Sequence, residues 1–207
     1  MIVVVDCGIG NCGSVVNMIR RVGGQVVATA DPAVVRSASR LVLPGVGSFD
    51  RGMTLLDEVG LLPVLNDRVV GAGVPILGIC LGLQLMSRRS DEGARSGLGW
   101  LGADTVRFHP PAEEPVRIPH MGWNEVVPAR ETRLFKPVDG ELRYYFAHSY
   151  HLVCDRRDDV LATSVHGYEF AAAVQRGNVC GVQFHPEKSH VFGMELMKSF
   201  VTGAAPC

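Results

Sequence analysis

Val74-Pro75-Ile76-Leu77-Gly78-Ile79-Cys80-Leu81-Gly82-Leu83-Gln84 is the stretch whose reading decides the fold. Val74–Ile79 is a short, continuous apolar run, the pattern of a strand buried on both faces of a parallel sheet. Leu81–Arg88 reads as a helix that starts directly after it. The two glycines flanking Cys80 permit a sharp turn and a close approach to the backbone. Strand, tight turn and helix form the nucleophile-elbow arrangement, here with cysteine where a hydrolase carries serine. A thiol there faces the positive end of the helix dipole. The Leu81 amide points to where a tetrahedral oxyanion forms. A buried cysteine between two packing glycines accounts for the segment equally well.

Outward from the elbow, the first half alternates. Ile2–Val5, Val26–Thr29 and Leu41–Leu43 are further strand-like runs. Val15, Val16, Ile19 and Val22 follow helical spacing, and Gly23 stops them. Leu55, Leu56, Val59 and Leu62 come close to the same pattern, broken by Gly60 and Pro63. The second half reads as short strands, Val116–Ile118, Leu142–Phe146, Leu161–Ser164, Phe170–Gln175 and Val179–Phe184, and then a helix, Met194–Val201. Pro110–Pro115 reads as a surface loop. The expectation is a three-layer α/β single domain over residues 1–207, with a mostly parallel central sheet and an antiparallel extension in its second half.

Composition limits the function. With 20 basic and 21 acidic residues in 207, a broad electrostatic grip on nucleic acid or an anionic membrane is not expected. No apolar run has the length of a membrane span. The Met1–Val5 run is too short for a signal peptide and has no basic residue before it, so a cytoplasmic location is expected. The six cysteines, at 7, 12, 80, 154, 180 and 207, include no Cys-x-x-Cys pair and read as reduced thiols.

A nucleophilic cysteine needs a base. His185 closes the strand Val179–Phe184, and Pro186 and Glu187 follow it. On an extended chain, residues two apart project to one side, so Glu187 can orient His185 while the imidazole faces Cys80. The Pro44-Gly45-Val46-Gly47-Ser48-Phe49 loop follows another strand and offers a second oxyanion donor near Val46. A rival reading comes from Gly8-Ile9-Gly10-Asn11-Cys12-Gly13, which matches the dinucleotide-binding G-x-G-x-x-G, with Asp31 at the spacing of a ribose-binding acid. No metal-ligand spacing is present, and His148 and His151 read as a satisfied pair. The acidic and basic residues at Arg88–Arg95 read as a solvated loop without a role.

Gly78–Gly82 with Gln84, Pro44–Phe49 and Gln183-Phe184-His185-Pro186-Glu187 together resemble the class I glutamine amidotransferases. Gly8–Asn11, Pro119-His120-Met121-Gly122-Trp123-Asn124, Phe146–Tyr150 and Lys188-Ser189 narrow the resemblance to the glutaminase subunits of imidazole glycerol phosphate synthase. Cys7 departs from the tyrosine usual there. The resemblance implies a Cys80, His185 and Glu187 triad, an oxyanion hole from Val46 and Leu81, and L-glutamine held by Gly47, Gln84, Ser149 and Tyr150. It implies no cofactor. It implies docking onto a cyclase partner, a β/α barrel, through Asn11, Pro119, His120, Met121, Trp123 and Lys188.

Overall fold

The structure is a computed structural model that describes residues 1–113 and 115–203; Cys207, and Glu114 within the Pro110–Pro115 loop, lie outside them. The first half alternates as its apolar pattern requires: β1 (Ile2–Val5), α1 (Cys12–Arg21), β2 (Val26–Thr29), α2 (Pro32–Arg36), β3 (Arg40–Gly45), α3 (Phe49–Glu58), α4 (Leu61–Asn66), β4 (Ile76–Cys80) and α5 (Leu81–Leu85). Gly60, at φ 70°, makes the break between α3 and α4. The second half holds β5 (Ala103–Arg107), β6 (His120–Glu125), β7 (Val127–Pro128), β8 (Arg143–His148), β9 (Tyr150–Cys154), β10 (Val160–His166), β11 (Tyr168–Arg176), β12 (Val179–Val182) and α6 (His190–Thr202).

Three sequence expectations need correction. Val116–Ile118 is not a strand; pairing begins only at His120, where β6 meets β8. The elbow helix ends at Leu85, because the Met86 and Ser87 amides tighten to the Leu83 and Gln84 carbonyls three residues back and the Leu98 amide takes the Leu85 carbonyl. The short elements α2, β5 and β9 went unread. α2 is a single Pro-started turn, and β5 and β9 carry polar residues such as Asp104, Thr105 and His151 amid the apolar ones.

Ten strands form one sheet. Its parallel half runs β2-β1-β3-β4-β12, and β11, β10 and β7 extend it antiparallel, with β9 pairing both β11 and β5. Side chains alternate across β1. Ile2 and Val4 enter a core shared with Val15 and Ile19 of α1 and Leu196 and Phe200 of α6. Val3 and Val5 enter a second core with Phe49, Met53 and Leu56 of α3 and Leu65 of α4. Each such buried side chain contributes roughly 1.5–3 kcal/mol, so both faces of the sheet must be covered for it to be stable.

Two features of this topology aim the site. Strand order reverses beside β1, so the loops after β1 and β3 open a crevice at the carboxyl ends of the strands. β12 lies against β4 in parallel register, Val182 opposite Ile79. The chain leaving β12 therefore reaches the edge where Cys80 stands.

Candidate active site

Cys80 occupies a backbone conformation, φ 53° and ψ −110°, that L-residues rarely adopt. Its neighbours make that turn feasible. A Cβ on Gly78 would stand 2.7 Å from the Leu83 nitrogen, and one on Gly82 would overlap the Leu43 carbonyl. Only glycine lets strand, elbow and helix pack this tightly. Cys80 is 6% exposed and borders a cavity of about 300 Å³.

His185 stands beside this sulfur, close enough for the two groups to interact. Its Nδ1 lies 2.7 Å from Glu187 Oε1, and both side chains are almost wholly enclosed. The backbone holds the imidazole in place. The His185 amide donates to the Tyr145 carbonyl at 2.8 Å, and Ser189 Oγ donates to the His185 carbonyl at 2.6 Å. Glu187 sits in a 3-10 turn, Pro186–Lys188, so the pair meets across a turn and not along an extended chain as expected. Burial opposes a charged imidazole, but the hydrogen bonds and charges of Cys80 and Glu187 outweigh it and push His185 up to about 9. The second carboxylate oxygen, Glu187 Oε2, is buried without a hydrogen-bond partner among the described residues.

Gly47, Gln84, Ser149 and Tyr150 all line the cavity, as do Val46 and Leu81. The Val46 amide, however, donates to the Ile9 carbonyl and is turned away from the sulfur in this conformation. Leu81 opens α5, where a helix leaves its first amides without intrahelical partners. Of the residues expected at a partner-facing rim, Met121 and Trp123 are 63% and 41% exposed, and Lys188 is exposed with its ammonium over the Tyr145 ring. Asn11 caps α1 through Ser14. His120 does not join them. It is 5% exposed and turned inward, with its Nδ1 3.0 Å from His148 Nε2, because side chains alternate along β6.

Two residues at the site escaped the sequence reading. Glu92, in a loop read as inert, lines the cavity, and its Oε2 accepts the Phe49 amide at the start of α3 at 2.7 Å. Gln183 is wholly buried, and its Nε2 lies 3.7 Å from the Cys80 sulfur. No local signal points to Glu92; Gln183 opens the Gln183–Glu187 motif two residues before the base, but nothing in the motif gives it a role.

The dinucleotide motif is otherwise employed. Gly10 is needed because a Cβ there would press on the Pro44 backbone at 3.0 Å, whereas nothing stands within 4 Å of one on Gly8 or Gly13. Asp31 caps α2, accepting the Ala33 amide at 2.8 Å. Among the described residues no group of His, Cys, Asp and Glu is arranged to hold a metal, and no helix is long and apolar enough to cross a membrane.

The family model described as glutamine amidotransferase class-I matches residues 3–204. The chain belongs to the class I glutamine amidotransferases. Among its relatives, imidazole glycerol phosphate synthase subunit HisH 2 of Methanococcus maripaludis is 46% identical over 99% of this chain and 100% of its own. The HisH 2 subunit of Pseudomonas aeruginosa is 47% identical over 97% and 98%. Within the class, the chain is a member of this HisH family. Solved structures share the fold. A putative GMP synthase protein of Thermoplasma acidophilum superposes with a TM-score of 0.69 at 20% identity, covering 97% of this chain and 91% of that one. PurLQS of Thermotoga maritima gives 0.66, also at 20%, covering 96% and 94%.

Proposed function

We propose that this protein is the glutaminase subunit of imidazole glycerol phosphate synthase, hydrolysing L-glutamine to glutamate and ammonia in the cytoplasm. The observation that carries the reading is the contact of Cys80 with His185, two residues far apart in the chain, with Glu187 behind the imidazole.

The Cys80 sulfur, its proton already held by His185, attacks the side-chain amide carbon of glutamine. His185 delivers a proton to the departing nitrogen, and ammonia leaves. Water then cleaves the thioester, returning the sulfur and releasing glutamate. Glu187 holds the imidazole tautomer and balances its charge. The Leu81 amide stabilises the oxyanion. Val46 joins it only once its amide exchanges the Ile9 carbonyl for the oxyanion, so the second half of the hole costs the breaking of that bond. Gly47, Gln84, Ser149 and Tyr150 hold the substrate, and the Glu92 carboxylate suits its α-ammonium.

Ammonia must be consumed before solvent protonates it, which calls for a synthase docked over the site. The exposed Met121 on the cavity wall and Trp123 two residues further along β6 fit the apolar centre of such an interface, with Lys188 and Asn11 at its rim. The partner is the cyclase, a β/α barrel. Replacing Cys80 with alanine tests the reading. The variant, joined to the synthase, loses glutamine-dependent synthesis and keeps ammonia-dependent synthesis. Parental glutamine hydrolysis in that variant would remove Cys80 as nucleophile.

A further inference from the structure

The sulfur of Cys80 has two polar neighbours besides His185. The Ala147 carbonyl lies 3.9 Å away and, as an acceptor, pairs only with a thiol S–H. The Gln183 side chain lies 3.7 Å away on Nε2. We infer that Gln183 is a catalytic residue whose amide N–H₂ donates to the Cys80 sulfur and favours the ionised nucleophile. The inference rests on Cys80 being the nucleophile.

The orientation of that amide follows from its partners, which are what distinguish nitrogen from oxygen in a glutamine side chain. The Tyr150 carbonyl can only accept. Gln84 Nε2 stands 3.1 Å from it and so must be nitrogen. The same Nε2 stands 3.1 Å from Gln183, which must present its oxygen there. The N–H₂ of Gln183 is then left facing the sulfur. A flipped Gln183 would set two N–H₂ groups against each other in a buried place, which is costly.

The anchor of this chain is itself determined. The Tyr150 carbonyl also takes the Nδ1–H of His148 at 2.7 Å. Neutral His148 then accepts on Nε2 from His120 Nδ1 at 3.0 Å, and His120 Nε2 accepts from Asn124 Nδ2 at 3.1 Å. Asn124 Nδ2 has its other hydrogen on the Val165 carbonyl at 2.8 Å. One assignment of tautomers and amides satisfies every member. Gln183 cannot turn without breaking it, and its own backbone amide is fixed to the Ala172 carbonyl at 2.8 Å.

A hydrogen bond to the charged form favours that form. His185 supplies one such bond, but it gives up its proton to the leaving nitrogen. Gln183 keeps its donor throughout, including when the sulfur must depart from the thioester as an anion. It therefore serves both halves of the reaction.

The test follows the reactivity of Cys80 toward iodoacetamide. The sulfur displaces iodide and forms an S–C bond, read on the Cys80 peptide by mass spectrometry between about pH 5 and pH 10. Cys7, Cys12 and Cys154 are pushed up to about 11, 12 and 11 respectively by burial, and remain thiols over most of that range. Gln183→Met, which removes the donor at similar length, moves the midpoint up by about one pH unit, and Gln183→Glu, which sets a carboxylate against the sulfur, moves it further. With the synthase present, kcat for glutamine falls about tenfold or more while KM stays within about twofold. An unchanged urea midpoint and co-elution with the synthase report that the variants are folded. In the unsubstituted protein the Gln183 side-chain amide protons titrate with the Cys80 midpoint. An unchanged midpoint in both folded variants, or amide protons that stay flat across the range, overturns the inference. Absence of alkylation at Cys80 in the parent protein overturns the nucleophile assignment instead.

Discussion

His185 Nδ1 and Glu187 Oε1 are 2.7 Å apart, in a pair of side chains that are 2% and 4% exposed. At that burial the carboxylate is, after the Cys80 sulfur, the second counter-charge against the imidazole. Glu187→Gln keeps an acceptor oxygen and loses the charge. The expected result is a fall in kcat of about 10²–10⁴ with the synthase present, and a His185 midpoint well below about 9 in an NMR titration. A variant with the parental midpoint would show that Glu187 does not set the imidazole charge.

The turn at Cys80 depends on Gly82, whose added Cβ would overlap the Leu43 carbonyl. Backbone is the obstacle, so no rotamer relieves it. Gly82→Ala should lose about 3 kcal/mol or more of stability, read as a drop in urea midpoint, and glutaminase activity should vanish with the elbow. An alanine variant as stable and active as the parent would mean that the helix does not sit against β3 as described.

Glu92 tests how the substrate is held. Its carboxylate is the acidic group on the cavity wall. Glu92→Gln should raise KM for glutamine about tenfold or more, with kcat changed much less, because a charge-assisted bond to the α-ammonium is lost in ground and transition states alike. Unchanged KM would assign the ammonium to another group.

Stability should peak near pH 6.5. Burial lowers His120 to about 4 and also lowers His148 and His151. These three stay neutral when folded and take up protons only when unfolded, so their contribution is lost as pH falls below the unfolded value of about 6.5. His185 runs the other way. Raised to about 9, it holds its proton in the folded state, so its contribution is full below about 6.5 and fades as pH climbs to about 9. Urea midpoints measured across the range should fall on both sides. A flat profile between about pH 5 and 6.5 would mean that the buried histidines titrate alike in both states.

Much of this was legible because it is local. The apolar run of β4, the glycines around Cys80 and the alternation of strands with helices each announce themselves within a dozen residues. So does the placement of Glu187 beside His185. Elements of one or two turns with mixed polarity, such as α2 and β9, leave no periodic trace long enough to read.

The residues alone determined a parallel α/β sheet, a cysteine at its elbow and the three side chains able to form a triad. Tertiary structure decided what each hydrogen bond is given to. The parallel register of β12 on β4 brought His185 and Gln183 to the sulfur, alternation along β6 turned His120 inward, and the meeting of two loops committed the Val46 amide to Ile9. Side-chain spacing records which face a residue takes within its own strand or helix. It carries nothing about which distant carbonyl or sulfur will stand across from it, because strand order and register set that.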